Sequence, residues 1–312
     1  MARRYKILVI GGGGIFGIVP ATMMNGLKNL DHPLYNYVDV MGGTSIGGIL
    51  SLMYAQGYTP EFTVLCFKRM VEKVFRRGFF HPRRWSPLGA KYSSADLQAV
   101  LRPLLDKELH QLDCRVVVPV LDFLHRQVKV FDNMGDGDDD GMPGWTVGVA
   151  TSSAPTYFDP FDCVGTAFID GGLLENIPIV TTCTAVHDKM GVDFKDMDVL
   201  AIGTGRIRKK VRKDPGCYRS WTIGHWMHPL VDMLTEANEM ASVFWAGQLG
   251  LGDFRYFDPV VLEEGWDMDN WKLVDEVERR AGEWRGDFNK TFWDWMTSDQ
   301  TPADAGKERS EG

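Results

Sequence analysis

Apolar residues arrive in two rhythms along this chain. Short unbroken runs read as strands: Tyr5 to Ile10, Tyr37 to Met41, Arg115 to Leu121, Gln127 to Phe131 and Thr166 to Ile169. Between them stand stretches with helical spacing. One runs from Ile18 to about Leu30, with Pro20 in its first turn. A second repeats at Ile46, Ile49, Leu50, Met53 and Tyr54 and is closed by Gly57. A third opens on Thr59-Pro60-Glu61, with a cap, a first-turn proline and an acid at the positive end, and reaches about Arg77. A fourth is capped by Ser93 or Ser94 and passes through Leu97, Val100, Leu101, Leu104 and Leu105, kinked at Pro103. The 312 residues hold two small domains or one larger α/β domain with additions.

Two glycine-rich turns interrupt this pattern. Gly42-Gly43-Thr44-Ser45-Ile46-Gly47-Gly48 joins the second strand to the second helix. A strand, a Gly-x-Ser-x-Gly turn and a helix make a nucleophile elbow, and Gly43 and Gly47 leave room for a turn that exposes Ser45. The pentapeptide pattern is common by itself; its strand and helix context gives it weight. Earlier, Gly11-Gly12-Gly13-Gly14-Ile15-Phe16-Gly17 satisfies Gly-x-Gly-x-x-Gly at Gly12, Gly14 and Gly17, and Asp39 lies near the spacing of a ribose-binding acid. A dinucleotide-binding oxidoreductase is therefore a rival reading, which bound NAD or flavin absorbance would reveal. Against it, Asp39 is expected inside the second strand and not at its end, and that strand leads into a serine elbow such a site does not need. A third element, Asp170-Gly171-Gly172, follows the strand Thr166 to Ile169. Alone it is simply a turn.

Together these residues resemble the patatin-like lipid acyl hydrolases. Gly12 to Gly17 matches that family's oxyanion loop, Asp39 to Gly48 its nucleophile block, Ala150-Thr151-Ser152-Ser153-Ala154-Pro155 its third block, and Asp170-Gly171-Gly172 its second catalytic element. Val199 to Gly205 fits the family's last core strand and turn. The likeness covers about Tyr5 to Arg206 and departs from the family in three places. Gly11 stands where an aspartate is usual, Phe16 where an arginine or lysine is usual, and Ile177 where a second asparagine is common. Bracing of the loop therefore falls to other groups.

The resemblance implies a three-layer α/β/α hydrolase with a mostly parallel central sheet. It implies a Ser45–Asp170 dyad without histidine, and N–H groups of Gly12, Gly13 and Gly14 around an oxyanion. It implies a phospholipase A-type cleavage of membrane glycerophospholipid, with no metal and no organic cofactor. A Ser-His-Asp hydrolase is the nearest enzymatic competitor, with His187, His225 and His228 following Asp170, but only one strand precedes the strand that leads into the elbow. A non-catalytic lipid-binding relative, disabled by Phe16, is the third reading.

Charge adds a membrane expectation. Between Thr59 and Lys91 eight Lys/Arg face two acids, 8 − 2 = +6, in a chain of net charge −8. Arg76, Arg77, Phe79, Phe80, Arg83, Arg84 and Trp85 interleave cations and aromatics, a pattern suited to an anionic lipid surface; a solvated basic face is the plainer alternative. Overall acidity argues against nucleic acid as a partner. Five cysteines without a Cys-x-x-Cys pair point to a reducing compartment. No signal peptide and no transmembrane run is recognised, so a cytoplasmic protein with peripheral membrane contact is expected.

The domain division expected is 5–206 catalytic, 207–297 a tryptophan-rich, mostly helical extension packed on the core, and 298–312 a flexible tail. The extension holds eight of the ten tryptophans and is where a homo-oligomer contact or regulatory ligand would sit. Asp136, Asp138 and Asp140 imitate a calcium loop, but Val147 falls where its glutamate belongs, so a surface loop is expected. His225, His228 and Asp232 share a helical face that Pro229 interrupts, with no fourth metal ligand.

Overall fold

The computed structural model describes residues 4–76, 90–135, 139, 141–207 and 223–298, with the side chains of 223–232 outside that description. Its centre is β1 (Tyr5–Ile10), an apolar run buried on both faces. Leu8 and Ile10 enter the core on one side of the sheet, Ile7 and Val9 the core on the other. A strand covered twice needs no alternation, and this one has none.

From β1 the chain enters α1 (Ile18–Met24), β2 (Val40–Gly43), α2 (Ile46–Ala55) and α3 (Pro60–Phe75), then α4 (Ser94–Leu101), β3 (Arg115–Asp122), β4 (Gln127–Asp132) and α5 (Gly144–Thr151). The elements β5 (Phe161–Cys163), β6 (Thr166–Asp170), α6 (Ile179–Met190), β7 (Met197–Ile202) and β8 (Arg206–Ile207) follow. The last are α7 (Ile223–Ala246), β9 (Asp253–Phe257), β10 (Val261–Leu262), α8 (Val274–Gly282) and α9 (Arg285–Met296). The sheet order is β5-β6-β3-β2-β1-β7-β9, with β4 on β3. The strands β3-β2-β1-β7-β9 are parallel, while β4, β6 and β5 add antiparallel pairs. Helices α1 to α5, α8 and α9 supply one core and α6 and α7 the other, which gives the three layers. Among the described residues no helix is long and apolar enough to cross a membrane.

Four expectations are corrected here. The second strand begins at Val40, so Asp39 precedes it, and its carboxylate accepts the Lys6 N–H at 2.8 Å. That ties it to the start of the sheet, the end opposite any ribose. Helix α1 stops at Met24, where Asn25 and Gly26 bring low helix propensity and the chain turns toward Asp31-His32-Pro33. Helix α4 ends at Leu101, ahead of Pro103, instead of bending through it. The tract after Ile207 contributes a strand, β9, parallel to β7, so β7 is not the sheet's edge. Thr59 caps α3 as expected, its hydroxyl accepting from the Phe62 N–H.

Candidate active site

The sheet itself brings Ser45 and Asp170 together. Val117 of β3 pairs with Gly42 of β2 and with Asp132 of β4, so β2 and β4 flank β3 on opposite sides. Val120 pairs with Asp170 of β6 and with Lys129 of β4. Strands β2 and β6 therefore share one edge of β3. One runs parallel to it and the other antiparallel, so their C-terminal ends meet head to head. Three residue steps along β3 separate the two pairings, about 10 Å at strand rise. The serine turn and the aspartate fill that interval.

At the end of β2 the chain turns within two residues. Ser45 takes φ 54° and ψ −126°, a left-handed conformation that costs a non-glycine residue energy and marks the elbow. The turn admits no side chain beside the serine: a Cβ on Gly47 would lie 2.1 Å from the Ile10 carbonyl oxygen, and one on Gly43 2.3 Å from that of Gly47. Ser45 precedes the first residue of α2, so its hydroxyl sits at the positive end of that helix.

Asp170 closes β6. Its carboxylate accepts the Gly172 N–H at 2.7 Å and faces the Ser45 side chain. Burial pushes its pKa up to about 6, against these two neighbours, which favour the charged form. Gly171 must be bare because a Cβ there would lie 2.2 Å from the Pro119 carbonyl oxygen. Gly172 lines the same pocket as Ser45 and Asp170.

One segment braces both ends. The Thr151 hydroxyl accepts the Ser45 N–H at 3.0 Å and donates to the Pro119 carbonyl at 3.0 Å. Two residues on, the Ser153 carbonyl accepts the Asp170 N–H at 3.1 Å. The block around Ala150 is thus a hydrogen-bonded clamp. From the other side the Thr44 hydroxyl donates to the Glu175 carbonyl at 2.8 Å.

The glycine loop lies against the same pocket, and one predicted donor is excluded. The Gly12 N–H donates to the Asn176 carbonyl at 2.9 Å and is not available to a ligand. Gly13 and Gly14 line the pocket, and their N–H groups have no partner among the described residues. Phe16, in place of a cation, is buried in the core. The loop is held instead by the segment after β10, where the Met268 carbonyl accepts the Ile15 N–H at 2.8 Å. The other two departures touch each other: Ile177 fills the space beside Gly11, whose added Cβ would lie 2.8 Å from Ile177 Cγ1. A small and a large apolar residue stand where a polar pair would be.

The remaining pocket wall is apolar, with Ile49, Met70, Val74, Phe75, Leu97 and Phe158 among its residues. Asp269 closes one side, held by the Lys91 ammonium and by the Tyr92 hydroxyl at 2.5 Å. No histidine lines the pocket among the described residues. His187 is occupied elsewhere, bonding the Val192 carbonyl at 2.9 Å and stacking on Phe194. Among the described residues no three side chains form a metal-binding group. The side chains of His225, His228 and Asp232 lie outside the described residues, as do Asp136, Asp138 and Asp140.

Of the residues expected at a membrane, Arg76 alone is described. It ends α3, pairs with Glu72 at 2.8 Å and lies 5.8 Å from the Trp271 ring. Arg77, Phe79, Phe80, Arg83, Arg84 and Trp85 lie outside the described residues.

Several known proteins are similar to this chain. The family model described as patatin-like phospholipase matches residues 8–182, from β1 through the Asp170 turn into α6. Patatin-17 of Solanum cardiophyllum is 27% identical over 284 residues, covering 78% of this chain and 72% of that protein. A protein named cGAMP-activated phospholipase in Vibrio cholerae serotype O1 is 28% identical over 261 residues, covering 72% of this chain and 71% of its own. Among solved structures, VipD from Legionella pneumophila aligns with a TM-score of 0.46 at 14% identity, over 95% of this chain and 67% of that one.

Proposed function

This chain belongs to the patatin-like phospholipase family, and from that premise we propose that it is a lipid acyl hydrolase of the phospholipase A type. The substrate class is the acyl esters of membrane glycerophospholipids, and the chemistry runs through Ser45, Asp170 and an acyl-enzyme. One observation carries the reading: a buried carboxylate and the elbow serine line the same pocket, which is largely apolar and which no described histidine enters.

In this mechanism Asp170 takes the Ser45 hydroxyl proton as the oxygen attacks the ester carbonyl carbon. The negative charge on the carbonyl oxygen is met by the N–H groups of Gly13 and Gly14, each contributing about 3 kcal/mol if it matches donors of this kind elsewhere. The tetrahedral centre collapses, the lysophospholipid oxygen leaves with the proton from Asp170, and the acyl group stays on Ser45. Water then gives a proton to Asp170 as it attacks the acyl carbon, and the second tetrahedral centre collapses to fatty acid as Ser45 Oγ leaves and takes that proton back from Asp170. An ordinary carboxylate is a weak base for a hydroxyl, and burial is what brings Asp170 closer to the task. Residues 5–206 form the catalytic unit on this reading, and 207–297 complete its loop and pocket.

Incubation with glycerophospholipid vesicles should release fatty acid and lysophospholipid in equal amounts; intact lipid after prolonged incubation would overturn the reading. Because Asp170 must be ionised to act as base, the rate should fall on the acid side with an apparent pKa near 6. A rate that is flat from pH 8 to pH 4 would remove Asp170 from that role. Peripheral membrane contact is assigned to the basic aromatic segment. The double charge reversal Arg83→Glu with Arg84→Glu should weaken binding to anionic vesicles at least about tenfold; unchanged sedimentation with vesicles would return that segment to an ordinary solvated face. The name of the Vibrio cholerae relative makes a cyclic dinucleotide the first activator to add in these assays.

A further inference from the structure

The peptide linking Gly12 to Gly13 is held from behind. Its carbonyl oxygen accepts the Thr204 hydroxyl at 2.7 Å and is 3.4 Å from Asn176 Nδ2. A trans peptide is planar, and its C=O and N–H point in opposite directions. Fixing the Gly12 carbonyl therefore fixes where the Gly13 N–H points, and Gly13 lines the pocket beside Ser45. Gly13 itself takes φ +156°, a conformation side chains rarely adopt, and an added Cβ there would lie 2.4 Å from the Thr204 hydroxyl oxygen.

Asn176 needs an anchor of its own to keep its amide turned that way, and the anchor comes from α7. Its Nδ2 donates to Glu239 Oε2 at 2.9 Å. Two acceptors, the carboxylate and the Gly12 carbonyl, face the same end of the amide, so that end must be the NH2 group. Glu239 is held in turn by the Tyr256 hydroxyl, which donates at 2.7 Å to Oε1 and lies 3.2 Å from Asp258. The chain of contacts thus runs from β9 and α7, outside the matched family segment, to a peptide of the catalytic loop.

We propose that Glu239 is a positioning residue: through Asn176 it sets the Gly12–Gly13 peptide and so aims the Gly13 N–H at the oxyanion. This rests on the reading of Ser45 as the nucleophile. Misaiming a donor by a fraction of an ångström to an ångström costs about ten- to a hundredfold in rate without weakening ground-state binding.

The test uses the full chain and a soluble short-chain p-nitrophenyl ester, so that membrane binding plays no part. Glu239→Leu keeps helix propensity and bulk but removes both acceptors. It should lower kcat about ten- to a hundredfold with KM within about twofold of wild type. Glu239→Gln retains one acceptor for Asn176 and should keep kcat within about threefold. In an Asn176→Ala background, adding Glu239→Leu should change kcat by less than about twofold, since the route is already cut. Thermal unfolding of each variant confirms that the comparison is between folded proteins. Wild-type kcat in Glu239→Leu, a full extra loss in the Asn176→Ala background, a Glu239→Gln as slow as Glu239→Leu, or a change confined to KM would each overturn the proposal. If the wild type shows no turnover that Ser45→Ala removes, the nucleophile reading fails and this one falls with it. If wild-type turnover depends on Ser45 and Glu239→Leu matches it, only the positioning role fails.

Discussion

Asp170→Asn should lower kcat by about four orders of magnitude or more and leave the protein at least as stable as before at pH 8. The loss follows from chemistry: an amide cannot accept the Ser45 proton, and removing the base of an activated nucleophile costs on this scale. The stability gain follows from burial. Asp170 is 6% exposed, and its pKa is raised from 3.8 to about 6 in the folded chain. A carboxyl whose folded pKa lies above its unfolded one favours folding below the unfolded value. That contribution is lost as pH rises through the folded pKa. At pH 8 the native state therefore holds a desolvated charge that asparagine would not, a difference of about 1–3 kcal/mol. Below pH 4 the advantage of asparagine should vanish. Urea unfolding at pH 8 and pH 4, together with ester hydrolysis, reads both effects. An active Asp170→Asn, or one destabilised at pH 8 by more than its lost activity could excuse, contradicts the assignment.

Gly47→Ala should destabilise the fold by about 3–5 kcal/mol and abolish activity together. The new Cβ would sit 2.1 Å from the Ile10 carbonyl oxygen and 2.6 Å from that of Gly11, so the obstacle is backbone on the central strand and its loop. Neither can move without shifting the glycine loop away from Ser45. A useful contrast is Gly286→Ala on α9, where nothing lies within 4 Å of an added Cβ. That exposed helical change should be neutral or stabilising by up to about 1 kcal/mol. Differential scanning calorimetry of the two variants is sufficient. A Gly47→Ala protein with wild-type unfolding temperature would mean that the elbow is looser than its distances imply.

What could be seen in the sequence was what is built locally. The strand, turn and helix around Ser45 are contiguous, and so are β6 and the Asp170 turn, so short patterns sufficed. The meeting of the two could not be read from periodicity, because it depends on β2 and β6 sharing one edge of β3; likeness to a known family supplied it. The clamp through Thr151 and Ser153 was missed because a hydroxyl in a run of small residues has many ordinary uses. Neither Asn176 nor Glu239, 63 residues later, carries a local pattern that shows the two meeting. The misread glycine loop is instructive. Its composition announces free N–H groups, but composition is silent on which of them another loop captures, as the Asn176 carbonyl captures that of Gly12. In the extension, Asp253-Phe254-Arg255-Tyr256-Phe257 carries a strand's alternation of polar and aromatic positions, hidden in a tract whose tryptophans suggested helices alone.

The central claim concerns a single oxygen atom. Treating the protein with a fluorophosphonate and mapping the adduct by peptide mass spectrometry tests whether that atom is an activated nucleophile. The account predicts one adduct on Ser45, formed more slowly below pH 6 and absent in Ser45→Ala, with fatty acid release lost in the same variant. No adduct on Ser45 in the wild type, or undiminished fatty acid release by Ser45→Ala, would contradict it.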